Sequence, residues 1–245
     1  MQVIAEQIQP KGSTIADEQG KAQECTSQLN KDGVHVRYFT SDCDSKASLG
    51  VAKAQKGKGI TVEPLKDTRH STASMSRKIR ELKLSQRCFP ARTKAIREKM
   101  QSRLSLDLGC RVQAEFAACH EKYGHNLAQM KSHMKYVPHA IILCYSGDCR
   151  QCRKHSFVCK GLRHSQWKRP YMPANVNINP TDKDVSCLLT CINMRLGSSA
   201  IEKTNLNSNS QKAEGAHRAY SRCNPKIVTI AHYMPARQCT QPQCY

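Results

Sequence analysis

The stretch from Cys144 to Cys159 constrains this chain more than any other. It reads Cys-Tyr-Ser-Gly-Asp-Cys-Arg-Gln-Cys-Arg-Lys-His-Ser-Phe-Val-Cys. Cys149, Cys152, His155 and Cys159 fall within eleven residues, with Cys144 as a spare. Thiolates and imidazole are the ligands that tetrahedral zinc prefers. The Cys149-x2-Cys152 start lets two sulfurs of one tight turn reach one ion, and Gly147-Asp148 supplies turn chemistry just ahead of it. His155 and Cys159 are four apart, one helical turn if a helix starts there. The pattern predicts a structural zinc site at Cys149, Cys152, His155 and Cys159. A full zinc ribbon would carry a second C-x2-C, which is absent here, so a set of buried thiols without metal stands as the competing reading.

Fourteen cysteines in 245 residues would also suit a disulfide framework. Met1–Pro10 lacks a basic segment followed by an apolar one, so no secretory leader is expected. The longest apolar run, near Ala140–Leu143, is far too short to span a bilayer, and no membrane partner is expected. Together these point to a reducing, intracellular setting in which clustered cysteines mean metal. Aromatic residues are only 5% of the chain, so its core must be aliphatic and modest. Thirty-nine Lys and Arg against nineteen Asp and Glu leave a formal charge of +20. Such an excess attracts a polyanion, and nucleic acid is the default partner. A basic protein with no such partner is the alternative.

Local patterning places further elements. Residues up to about Gly20 are polar and loose, and Lys21–Asn30 suits a short helix. Val34–Ser41 alternates with period two and β-branched or aromatic residues, which is a strand pattern. Ser45–Lys56 reads as a helix closed by Gly57 and Gly59, and Ile60–Leu65 as a second strand. Strand, acidic loop, helix and strand in that order make a βαβ-like unit. From Ser74 to Tyr136 the pattern is helical: Ser74–Leu84, a helix opened by Phe89-Pro90 through Leu104, and Val112–Tyr136 punctuated by Gly124. Arg77, Lys78, Arg80, Arg92, Lys94, Arg97 and Lys99 lie on these helices. They suit either a solvated face or phosphate contact. Residues 160–180 form a Pro-rich loop, Thr181 caps a helix over Asp182–Leu196, and Ser210–Arg222 forms another. A short strand-like run, Ile227–Ile230, precedes the tail.

Several of these segments together resemble a Mutator-like transposase domain of the animal type. They are Thr40-Ser-Asp-Cys-Asp-Ser-Lys-Ala47, Asp67-Thr-Arg-His70, Phe89-Pro-Ala-Arg-Thr-Lys-Ala95 with Arg97-Glu-Lys99, and Cys144-Tyr-Ser-Gly-Asp-Cys149. They continue with His155-Ser-Phe-Val-Cys-Lys-Gly161, Met194-Arg-Leu-Gly197 and Asn207-Ser-Asn-Ser-Gln-Lys-Ala-Glu-Gly-Ala-His-Arg-Ala-Tyr-Ser-Arg222. The likeness runs from about Asp32 to Arg237, and the shared order of the segments carries it.

The resemblance implies a ribonuclease-H-like fold whose active site is three carboxylates. It makes Asp42 the second acid, with Asp44 its competitor, and Glu214 the third. A helical insertion between those two would carry a C/D-x2-H motif, matched by Cys152-Arg-Lys-His155. Converging carboxylates hold two Mg2+ or Mn2+ ions for in-line phosphoryl displacement, whereas zinc belongs in the cysteine cluster. The family's first acid has no counterpart: Asp17, Glu18, Glu24 and Asp32 precede Asp42, and none follows an alternating apolar strand. The expectation is therefore an N-terminally truncated copy. It would be an α/β, ribonuclease-H-like core fragment with a basic, helical, zinc-binding insertion.

On that reading residues 1–31 are an entry segment and 32–72 the βαβ portion. Residues 73–180 are the insertion, 181–237 the C-terminal core helices, and 238–245 a tail. The implied function is DNA cleavage and strand transfer in DNA transposition, catalytically incomplete here, with DNA as partner, self-association and a nuclear location. A non-catalytic, zinc-stabilised nucleic-acid-binding protein is the alternative, and a remnant without a stable fold a third reading.

Overall fold

The long helix at the centre follows directly from the apolar spacing. Leu104, Leu108, Val112, Phe116 and Cys119 recur at helical intervals and are all buried. They lie on α4, Lys94–Tyr123, which runs without a break where the sequence suggests two helices. The computed structural model describes residues 18–204 and 206, apart from 42–44, 92, 125, 163–165 and 174–175. The expected helix at 210–222 and strand at 227–230 lie outside the described residues, which all belong to one compact unit, 7–209.

Before α4 come α1 (Glu18–Lys31), β1 (Tyr38–Ser41), α2 (Ser45–Lys56), β2 (Glu63–Lys66) and α3 (Thr68–Glu81). After it come α5 (Leu127–Met134), α6 (Val137–Tyr145), α7 (Arg150–His155), α8 (Asp182–Leu196) and α9 (Ser198–Lys203). The protein is thus a mostly helical α/β structure. Among the described residues its sheet is two parallel strands, paired from Tyr38↔Glu63 to Ser41↔Lys66. The expected order of strand, helix and strand is present, though each strand is shorter than the segment expected for it.

Side-chain caps set several boundaries. The Asp67 carboxylate accepts from the backbone N–H groups of Arg69 and His70 and starts α3. Thr93 accepts from the Ile96 N–H and starts α4. The sequence favoured Phe89-Pro90 as that start, but Phe89 is buried in the core and the capping hydroxyl lies four residues later. Thr181 and Asp184 form a reciprocal capping box on α8, at the boundary the sequence predicts. The Asp184 carboxylate also accepts from the Ser85 N–H at 2.8 Å and the Ser85 hydroxyl at 2.5 Å, tying the turn at Gln86–Cys88 to α8.

Most of the apolar interior belongs to α3, α4, α5, α6, α8 and α9: Met75, Ile79, Leu104, Leu108, Met130, Met134, Ile141, Leu188, Ile192 and Ile201 form one continuous cluster. α1 lies against α2 through Gly50, where an added Cβ would sit 2.1 Å from the Gln19 carbonyl oxygen. Only glycine lets those two backbones approach so closely.

Candidate metal centre

α6 is an apolar nine-residue helix, and its last turn delivers Cys144 into the interior. The chain then reverses sharply. Ser146 N–H bonds to the Ile142 and Leu143 carbonyls, Gly147 adopts φ 96°, and Asp148 N–H returns to Leu143. The Asp148 carboxylate binds the Arg150 backbone N–H and guanidinium, and these hydrogen bonds hold its pKa down to about 2. The reversal sets Cys149 beside Cys144, with their sulfurs 3.4 Å apart.

Cys149 is the N-cap of α7, and Cys152 lies in the first turn of that helix, fully buried. Ser156 ends α7, and its hydroxyl accepts from the Val158 and Cys159 N–H groups. That turn brings Cys159 back under α6. The helix therefore lies before His155 rather than after it, and a loop carries Cys159.

The Sγ atoms of Cys144, Cys149 and Cys159 all lie within 4.8 Å of one another. Cys144 and Cys159 are buried and Cys149 is half-buried. Three convergent sulfurs at this spacing could bind a metal such as zinc. Cys152 contacts both the Cys144 and the Cys159 thiols. His155 is placed elsewhere: its ring packs on Tyr136, with centroids 5.0 Å apart. Of the four ligands the sequence suggested, Cys149 and Cys159 belong to this group of three, Cys152 packs beside it against Cys144 and Cys159, and the third member is the spare, Cys144.

The surroundings favour negative charge at the Cys159 sulfur. Cys159 Sγ accepts the Trp167 N–H at 3.4 Å, and Cys149 Sγ accepts from Gln166 Nε2 at 3.4 Å. Hydrogen bonds from the Cys144 and Cys152 thiols hold the Cys159 thiol well below its ordinary value, against the opposing effect of burial. Cys144 moves the other way, because it donates its proton to those neighbours and is buried. Gly161 closes the site with φ 63°; a Cβ there would lie 2.7 Å from the Cys149 carbonyl oxygen.

Beneath the sulfurs lies an ion pair that the sequence reading did not pick out. Arg111 and Glu115 on α4 are fully buried and 2.8 Å apart. Glu115 accepts from the Ser156 hydroxyl at 2.5 Å and the Phe157 N–H at 2.7 Å. Arg111 donates to the Ser156 hydroxyl at 2.9 Å and lies 3.7 Å from Cys152 Sγ. A visible signal existed: two charged residues, four apart, interrupt the apolar stripe of Leu104, Leu108, Val112 and Phe116.

The proposed catalytic acids Asp42 and Glu214, and the competitor Asp44, lie outside the described residues. Ser41, immediately before Asp42, ends β1, and its carbonyl accepts the Asp67 N–H at 3.1 Å. The parallel pairing therefore brings the ends of both strands together beside buried Asp67.

With this geometry in view, comparison with known proteins is specific. The chain belongs to the Mutator-like transposase family, whose profile matches residues 7–159. That span includes Asp42 and the whole thiol cluster and ends before Glu214. No curated protein and no solved structure matches the chain. None of the helices described is long and apolar enough to cross a membrane.

Proposed function

We propose that this chain is a DNA-binding part of a transposase, related to metal-dependent DNA cleavage and strand transfer, and that its helical portion is stabilised by zinc. The family match over residues 7–159 carries this reading. The charge supports it: Arg77, Lys78 and Arg80 on α3 and Lys94 and Lys99 on α4 are exposed, within a chain of net charge +20. Phosphate contact by such side chains needs no base readout and suits a nuclear protein that first finds DNA through its backbone.

The catalytic part of the proposal places Asp42 and Glu214 as ligands of Mg2+ or Mn2+ within a ribonuclease-H-like core. Two carboxylates would hold a hard divalent cation, which supplies charge neutralisation at the scissile phosphate when bound. Among the described residues before Asp42, no carboxylate lies on a strand. A second reading for residues 1–245 is zinc-stabilised DNA binding without cleavage. Self-association would bring two copies to the two ends of an element.

Titration of duplex DNA against the purified chain tests the proposal. Binding should weaken steeply with salt, as counterions are released from about as many phosphates as there are contacting cations. Absent binding at low salt, or binding that ignores salt, refutes it. The same preparation, given Mg2+ or Mn2+ and a duplex with terminal inverted repeats, should not nick it. Nicking abolished by Asp42→Ala and by Glu214→Ala would overturn the non-catalytic reading.

A further inference from the structure

The fourth ligand of the thiol cluster and the buried Arg111 raise one question, since neither is explained by three sulfurs alone. We infer that Cys144, Cys149, Cys152 and Cys159 form a four-thiolate site for a soft divalent metal, and that Arg111 is its buried counter-charge and positioning residue. This rests on the reading of the cluster as a metal centre and adds its ligand set and its electrostatic support.

Cys152 is the better fourth ligand for three reasons. It is fully buried among Ala140, Cys144 and Cys159, whereas His155 is half-buried and packed on Tyr136. It contacts two of the three converging thiols. Its oxygen acceptor, the Ala140 carbonyl at 3.5 Å, is a weak partner for a thiol, so losing that hydrogen bond to a metal forfeits little.

Arg111 supplies the independent observation. It is 0% exposed, and its Nε and Nη1 have no hydrogen-bond partner. A guanidinium cannot shed its charge in a protein, so burying it with orphaned N–H groups is costly unless negative charge lies nearby. Glu115 supplies one such charge, but that carboxylate is shared with Ser156 and Phe157. The Cys152 sulfur lies 3.7 Å from Arg111 Nη2. Four thiolates around a divalent ion carry two net negative charges, and a dry interior penalises that excess unless a cation offsets it. Arg111 is such a cation, held at Cys152 by Ser156 and faced by the Trp167 ring at 5.1 Å.

The test uses the full chain loaded with zinc, and in parallel with cobalt, at fixed neutral pH. Metal content, competition against a chromogenic chelator and the cobalt–thiolate absorption are read. The unaltered chain should hold stoichiometric zinc. Cys152→Ser should weaken retention and reduce the thiolate absorption per cobalt, while His155→Ala should leave both unchanged. Removing Arg111 alone would strand the Glu115 charge, so the paired change Arg111→Met with Glu115→Gln is used. It should keep the helical circular dichroism yet lose about 10- to 100-fold in zinc affinity, as loss of an outer-shell partner does. Arg111→Lys should recover part of that loss. A metal-free unaltered chain defeats the metal centre itself. Metal lost in His155→Ala but kept in Cys152→Ser overturns the ligand set. Unchanged affinity in the folded paired variant overturns the role of Arg111.

Discussion

The α3–α9 helical body and the β1–α2–β2 unit bury their side chains by different means. The continuous core cluster begins at Met75, and no residue of α1, β1, α2 or β2 is part of it. The strand unit buries only Ala47, Val51 and Leu65 of its described apolar residues, and it also buries Gln55 with both amide atoms unpartnered. The helical body buries large aliphatics and spends polar interactions on fixed points: Arg111–Glu115 under the thiols, and Asp184 between the Ser85 turn and α8. Stability and the metal centre are thus concentrated in one region, while the strand ends that lead to Asp42 rest on a thinner foundation.

Metal removal should widen this contrast most. Structural zinc contributes about 10–16 kcal/mol to folding in isolated zinc-finger peptides. Here the surrounding core shares the work, so chelation should lower the unfolding midpoint by roughly 10 °C, equivalent to several kcal/mol in a chain of this size. Hydrogen exchange resolves where the loss falls. Amides of α6 and α7 should lose protection, and those of β1 and β2 should keep theirs. Equal loss in both regions would break the comparison.

A matched pair of core truncations sharpens it. Leu108 and Leu65 are both buried, at 1% and 2% exposure. Leu108→Ala, inside the continuous cluster, should cost about 5 kcal/mol, and Leu65→Ala, outside it, about 2 kcal/mol, the two ends of the usual range. Urea unfolding measures both, and equal costs would mean that the strand unit is packed as well as the body.

Asp184→Asn gives the smallest effect, about 1–2 kcal/mol, because an amide keeps one acceptor but loses charge-assisted bonds. Burial raises the Asp184 pKa, yet the hydrogen bonds from Ser85 and Thr181 outweigh it and leave the carboxyl below its ordinary value. A depressed folded pKa means stability that is present above the unfolded value, near pH 4, and lost as pH falls through the folded one. Stability measured from pH 6 downward should therefore fall for the unaltered chain and stay flatter for the variant in that window.

Short-range chemistry made part of this legible in the sequence. Thr181 marked the start of α8, alternation marked the first strand, and the crowding of Cys149, Cys152 and Cys159 marked the cluster, since each signal lies within a turn or two of chain. The sequence also carried the family likeness and the net charge. It favoured His155 over the spare Cys144, because both are close enough in sequence to reach the site and spacing alone does not tell which one does. The reversal at Ser146–Asp148 brought Cys144 in, and packing on Tyr136 held His155 to one side. Nor could it pair Arg111 with Cys152, which lie 41 residues apart. That meeting depends on α4 running unbroken past α7, and a charge at a core position is tolerated only where the assembled fold brings its partners to it.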